Sequence, residues 1–442
     1  MDETWYNNHV SGRRTYLFST NTGSFPNKGL WPATLPPTFS QFGGNVPASY
    51  QLVITSTAPA GSTIYYTTDG SDPRLAGGGV SASALIYTGP VTLTNLVTIR
   101  SRVKNANGEW SALTEAFFEP AAAQPTTNTL VVSEIMYHPP DPSAAEQAAT
   151  YTNADDFEFI RLTNIGSTPL DLRNLDFTVG ITFDFATGSV LAINPGASVV
   201  VVKNRDAFHA RYGTGYDAML AGEYAGGLDN NGEQITLRLN TTGTPIIQSF
   251  IYNDAKPWPK TADGYGPSLM LAAPSTAPDH TNPLNWTAST QPGGMPGGVV
   301  RPLTYNAWKQ LVFNSIDAAN AAVSGPLVDR DRDGLVNFAE YSMGCVPTYA
   351  DSTPPPATAQ IENVAGTDYL TYQYRLMSGA TDASVTPEIT SDLVTWLNGA
   401  ANIVTVSGPT TSPNGSVTWK VRDINPFTTP GRRQFHLKMT GP

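Results

Sequence analysis

Alternating apolar and polar positions, broken at short intervals by Gly, Asp, Asn and Pro, run through most of this chain, and such a period of two predicts strands. From Thr38 to about Glu119 the alternation falls in Tyr50 to Thr55, Thr63 to Thr67, Pro90 to Leu93 and Thr98 to Val103. A second series follows at Leu130 to Ile135, Glu158 to Thr163, Ser198 to Val202, Gln234 to Leu239 and Ile246 to Tyr252, and a third lies in Tyr369 to Leu376 and Ser416 to Arg422. Short strands at this spacing predict β-sandwiches, so the expected fold class is all-β and multidomain. One stretch departs from it. Ala307, Trp308, Leu311, Val312, Ile316 and Ala319 recur every three or four positions, predicting a single amphipathic helix over Asn306 to Val323 that Gly325-Pro326 stops.

Punctuation divides the chain further. The basic, aromatic start (Trp5-Tyr6, Arg13-Arg14, Tyr16-Leu17-Phe18) and the Pro-rich run to Pro36 read as the tail of an upstream domain plus a linker, residues 1–36. Sandwiches are expected at 37–120 and 128–300, the helix and an acidic loop at 301–350, and a terminal β-sandwich at 357–442, with Ala/Gln/Thr/Pro and Pro/Thr linkers between them. The 39 glycines and 36 prolines suit this many turns. With 25 Lys and Arg against 36 Asp and Glu, the net charge of -11 leaves no electrostatic footprint for nucleic acid. No apolar run approaches the ~18 residues of a membrane span. A single cysteine, Cys345, excludes an intrachain disulfide and a four-cysteine zinc site, and reads as a packed thiol. The start Met1-Asp2-Glu3-Thr4-Trp5 has neither the basic nor the apolar region of a signal peptide.

The strongest chemical signal is Asp329-Arg330-Asp331-Arg332-Asp333-Gly334-Leu335-Val336-Asn337-Phe338-Ala339-Glu340. Asp at positions 1, 3 and 5, Gly at 6, an apolar residue at 8, Asn at 9 and Glu at 12 fit an EF-hand calcium loop. Calcium takes six to eight hard oxygens at about 2.3 to 2.6 Å, and alternate residues of a tight turn point inward. The expected metal ligands are Asp329, Asp331, Asp333, the Leu335 carbonyl, Asn337 and Glu340, with Ca2+ as the cofactor. A lone loop favours a structural site over a sensor, and its job would be to fix the helix against the following β-block. The bland alternative is a solvated acidic turn relieved by Arg330 and Arg332.

Two weaker constellations remain. Glu134, Asp155, Asp156, Glu158, Asp229, Glu233 and Asp263 could supply a pair for glycosidic hydrolysis, which needs carboxyl groups about 5 to 10 Å apart. The competing reading puts Glu134 and Glu158 on strands and has Asp155, Asp156 and Asp229 cap turns. Tyr66, Trp110, Trp258 and Trp286 could offer ring faces to a sugar; packing is the commoner use, and Trp258, between Pro257 and Pro259, is the expected exposed exception. His138 reads as a loop histidine.

Ile64-Tyr65-Tyr66-Thr67-Thr68-Asp69-Gly70-Ser71-Asp72-Pro73-Arg74, with Tyr87-Thr88-Gly89-Pro90 and Gly108-Glu109-Trp110-Ser111, resembles the chitobiase or hexosaminidase C-terminal domain, a fibronectin-III-like module that implies no catalytic residue. Ser133-Glu134-Ile135-Met136-Tyr137-His138-Pro139, Phe157-Glu158-Phe159-Ile160-Arg161-Leu162-Thr163-Asn164, Leu170-Asp171-Leu172 and Asn230-Asn231-Gly232-Glu233 resemble the lamin-tail domain, an immunoglobulin-type sandwich. The acidic loop is similar to those of EF-hand and dockerin modules. This order resembles the C-terminal half of secreted proteins that begin with a spore-coat-H-type kinase domain, whose active-site motifs do not occur here. Ser391-Asp392-Leu393-Val394-Thr395-Trp396 and Arg432-Arg433-Gln434-Phe435-His436-Leu437 resemble a terminal β-sandwich of secreted bacterial proteins.

Together these features predict a secreted or cell-surface, bacterial-type, non-catalytic binding or adhesion region. Its partner would be a glycan or cell-wall component, and calcium would hold one junction. A glycoside hydrolase using the lamin-tail carboxylates is the alternative, and a passive spacer of a larger kinase-like protein the third.

Overall fold

The computed structural model describes residues 32, 34–47, 49–350, 355–427 and 432–441, so most of the expected upstream tail lies outside the described residues. The chain is mostly β-sheet and divides into two compact units, one ending at Ala123 and including Ser167–Leu170, the other holding Gln124–Gly166 and everything from Asp171 onward.

In the first unit, Val97–Lys104 lies between Thr114–Pro120 and Thr63–Thr67 in a five-stranded sheet whose outer strands are Gly44–Val46 and Leu85–Ile86. Its alternation buries Ile99, Ser101 and Val103 and turns the residues between them outward. Leu52, Ile54, Leu93, Ile99 and Phe118 form the core. The Thr68–Arg74 turn is tied to the sheet by Asp72, whose two oxygens accept from Arg102 Nε and Nη2 at 2.7 Å each.

The second unit begins with the block containing the lamin-tail motifs. One sheet runs, edge to edge, through Leu220–Glu223, Ser198–Val202, Phe159–Asn164, Leu130–Met136, Leu269–Leu271 and Trp286–Ala288. The other runs through Ala225–Gly226, Ile181–Asp184, Leu175–Val179, Gln234–Leu239 and Ile246–Ile251. Every residue of Leu130–Met136 is buried, so this strand is covered on both faces. Met136, Phe159, Val200 and Val202 share one face and pack on Phe208 and Tyr212 of helix α2 (Arg205–Tyr212), which follows the short α1 (Ala144–Ala148).

Beyond it, the expected helix over Asn306 to Val323 is three helices: α3 (Tyr305–Val312), α4 (Ser315–Ala319) and α5 (Ala321–Ser324). Two asparagines cause the breaks. Asn314 Oδ1 accepts from the amides of Ile316 and Asp317, and Asn320 Oδ1 from that of Ala322, so each starts a new helix where periodicity alone suggested continuation. Helix α6 (Asn337–Met343) ends at Gly344, whose φ of 67° is the left-handed cap that favours glycine. The terminal block sets a four-stranded sheet (Ala357–Val364, Thr367–Met377, Ser416–Asp423, Ile403–Thr411) beside the pair Ser384–Thr390 and Gln434–Thr440. Helix α6 joins two cores: Phe338 and Tyr341 pack with Tyr305 and Trp308, while Met343 packs with Leu370, Ile389 and Phe435.

Candidate metal centre

The acidic loop lies between α5 and α6. Oxygens of Asp329, Asp331 and Asp333 come within 4.8 Å of one another. The loop is shaped by its own carboxylates: Asp329 Oδ2 accepts from the Gly334 amide at 3.2 Å, Asp331 Oδ1 from the Asp333 amide at 3.2 Å, and Asp333 Oδ1 from the Leu335 amide at 2.9 Å. Gly334 takes a φ of +98°, which a side chain would disfavour. Two oxygens remain that the loop does not use, since Asp329 Oδ1 and Asp331 Oδ2 are buried and accept no hydrogen bond. A buried carboxylate oxygen without a donor is costly, and a hard cation is the partner that suits several at once. Burial and the neighbouring Asp333 and Asp329 charges raise the Asp331 pKa above the ordinary carboxylate value.

The arginines do not relieve this crowding at Asp329 or Asp331. Arg330 reaches Asp317 instead, at 4.0 Å, and among the described residues no lysine or arginine pairs with either of those two aspartates. The three converging carboxylates are therefore of the donor type that a hard cation such as calcium takes. Two further expected ligands follow Leu335. Asn337 is fully buried and its Nδ2 donates to the carbonyls of Val323 and Gly325 at 2.9 Å each, so its amide fastens the exit of the loop to the end of α5. Glu340 is 0% exposed in the first turn of α6 and lies outside the 4.8 Å cluster. Leu335 packs against the terminal core, and with Gly334, Tyr372 and Leu437 it lines a cleft of about 350 Å³.

The lamin-tail carboxylates have dedicated donors. Glu134 is 0% exposed; Oε2 accepts from Arg161 Nε at 3.0 Å, and Oε1 from Ser268 Oγ and the Met295 amide at 2.6 Å each. Glu158 accepts from Tyr224 Oη at 2.8 Å and the Leu228 amide at 3.0 Å, and burial pushes its pKa up to about 7. Glu233 accepts from the Asp229 amide, and Asp229 from Asn231. Asp156 faces Asn204 Nδ2 at 3.4 Å. The turn at Ala154–Phe157 is capped by Asn153 rather than by the aspartates expected to cap it: its side chain accepts from the Asp155 amide. Asp263 pairs with Lys260 and with His138, whose Nδ1 lies 2.7 Å from Asp263 Oδ1, a partner 125 residues away that sequence does not reveal.

The aromatic candidates are packed. Trp258, expected to be exposed between its prolines, is only 9% exposed and rests on Trp286 with ring centroids 5.9 Å apart; tertiary burial overrides the local loop signal. Trp110 is buried and donates from Nε1 to the Gly78 carbonyl at 2.8 Å. Tyr66 is half-buried, edge-on to Tyr87. Cys345 is buried as expected.

Comparison with known families agrees with the two resemblances read from sequence. Residues 123–254 match the Lamin Tail Domain model, and residues 42–115 match the Chitobiase/beta-hexosaminidase C-terminal domain model. Both support immunoglobulin-like modules. No curated protein matches the chain. Among the described residues no helix is long and apolar enough to cross a membrane.

Proposed function

We propose that this chain is a non-catalytic binding or adhesion region acting outside the cell on glycans or cell-wall components, with one structural calcium ion in the loop that starts at Asp329. The observation that carries the calcium half is the pair of buried, donor-free oxygens on Asp329 and Asp331 within the three-carboxylate cluster. Asp329, Asp331, Asp333 and the Leu335 carbonyl would form the core of the ligand set, and Glu340 would close it. Asn337 holds the loop exit. The ion supplies positive charge that lets three carboxylates share one space, and the rest of the work belongs to the chain.

Its purpose follows from what the loop touches. Gly334 and Leu335 abut the terminal β-block, and the loop leads directly into α6, the helix shared by two cores. Tyr341 Oη on α6 donates to the Leu303 carbonyl at 2.5 Å, and its ring packs on Trp308. Fixing the loop therefore fixes the helical segment against the terminal block. The glycan half is supported by the chitobiase-related module and by the engagement of Glu134 and Glu158 as internal acceptors.

Titration calorimetry of chelator-stripped protein tests the first half. One-site heat with a Kd around 10⁻⁴ to 10⁻³ M is expected, as for extracellular modules; Asp331→Ala should abolish it, and flat heats in the parent would refute the site. For the second half, retention on insoluble glycans without release of reducing sugar is expected. Sugar release that disappears in Glu158→Gln would instead establish a hydrolase.

A further inference from the structure

A groove of about 660 Å³ opens in the second unit between the lamin-tail block and the terminal β-block. One wall is the Lys256–Thr261 loop with Trp286; the other carries Tyr349, Arg375 and Asn414. Its floor is a fixed junction. The Thr290 amide and hydroxyl both donate to the Asn414 carbonyl, at 2.8 and 3.0 Å, and Asn414 Nδ2 donates to the Ala288 carbonyl at 3.3 Å. Glycine permits this approach, since a Cβ on Gly344 would lie 2.7 Å from Thr290 Cβ. Such a junction preforms the groove, so a ligand pays little to order it.

The charge of this groove runs against that of the chain. The net charge is -11, yet among the described residues no Asp or Glu lines the groove, whereas Lys256, Lys260 and Arg375 do. Lys260 is neutralised by Asp263 and by Asp254 at 3.5 Å. Lys256 is exposed, and among the described residues neither it nor Arg375 pairs with a carboxylate; Arg375 Nη2 instead donates to Cys345 Sγ at 3.3 Å. Between the cations lie hydroxyls of Thr261 and Thr287 and the indole edges; the Asn414 amide belongs to the junction, with Nδ2 donating to Ala288 and Oδ1 accepting from the Ser416 amide and hydroxyl.

We infer that this groove binds an acidic oligosaccharide, a chain of uronate residues, with Lys256 and Arg375 taking carboxylates and the threonines taking ring hydroxyls. This deepens the glycan-binding reading and rests on it. Cations meet carboxylates through charge-assisted hydrogen bonds, while hydroxyl groups match the many donors and acceptors of a sugar. Among the described residues the lining also offers no carboxylate pair to cleave the bound chain.

The test is calorimetry of the full chain with oligogalacturonate, neutral malto-oligosaccharide and poly-glutamate, repeated with Lys256→Glu and Arg375→Gln. Lys256 is exposed, so its variant should fold, which the melting temperature checks. Saturable binding of oligogalacturonate is expected, weakened about tenfold or more by Lys256→Glu. Added salt should weaken it too, and the neutral sugar should give no heat. The inference is overturned if oligogalacturonate gives no heat, if Lys256→Glu binds it as well as the parent, or if poly-glutamate binds equally. Retention on insoluble glycans separates the two levels. A chain retained there but silent toward oligogalacturonate loses only the groove assignment, and a chain retained on no glycan loses the wider reading.

Discussion

Glu134 and the Asp329, Asp331, Asp333 triad both hold carboxylate oxygens away from water, within the same compact unit, and their surroundings differ in kind. Glu134 receives three donors from three separate places, Arg161, Ser268 and Met295, and each of its oxygens is satisfied. The triad spends its bonds on its own backbone and leaves Asp329 Oδ1 and Asp331 Oδ2 without a donor. A carboxylate served by protein donors is part of the framework. Carboxylates crowded together with oxygens to spare are what the proposed cation would use.

This contrast sets the order of expected effects. The largest belongs to Glu134. Replacing it with alanine strands the Arg161 guanidinium, itself 6% exposed, and removing one partner of a buried pair costs about 3 to 5 kcal/mol. Urea unfolding of Glu134→Ala measures it, and a loss under 1 kcal/mol would show that the network matters little.

Next comes pH. Burial raises folded Glu158 to about 7 from an ordinary 4.5. The stability tied to its neutral form is thus fully present below about pH 4.5 and is lost as pH rises through about 7. The loss reaches about 3 kcal/mol at most. Stability curves for the parent and Glu158→Gln should diverge between pH 5 and 8, with the variant gaining on the parent toward pH 8; parallel curves would mean that the carboxylate is ionised throughout.

Calcium follows. At a concentration about a hundredfold above Kd the ion should add about 2.7 kcal/mol to unfolding. A melting temperature in calcium equal to that in chelator would leave the loop an ordinary acidic turn.

Much of this fold is legible in the sequence because strand alternation reports burial on one face. Val97–Lys104 shows it, with Ile99 and Val103 inward and Arg100 and Arg102 turned outward. The acidic cluster is legible for a related reason: its three aspartates lie within five successive positions, so local geometry brings Asp329, Asp331 and Asp333 together. What sequence hides is built from distant segments. Glu134 meets Ser268 across 134 positions and Met295 across 161, and no local pattern announces either. The groove is assembled the same way, so Arg375 and Asn414 gave no signal. Asn337 shows the same limit: its Nδ2 fastens to the Val323 and Gly325 carbonyls, which no local pattern announces, while its Oδ1 has no hydrogen-bond partner among the described residues.

The contrast between the two carboxylate environments meets its most direct test in Asp331→Asn, unfolded in urea with calcium and with chelator. Without the ion the substitution removes like-charge crowding, so the variant should be at least as stable as the parent, by up to about 1 kcal/mol. With the ion the order should reverse, because the parent gains from binding and the variant gains far less. Crossing of the two proteins is the predicted result; a variant that is less stable by the same amount in both conditions would contradict the account.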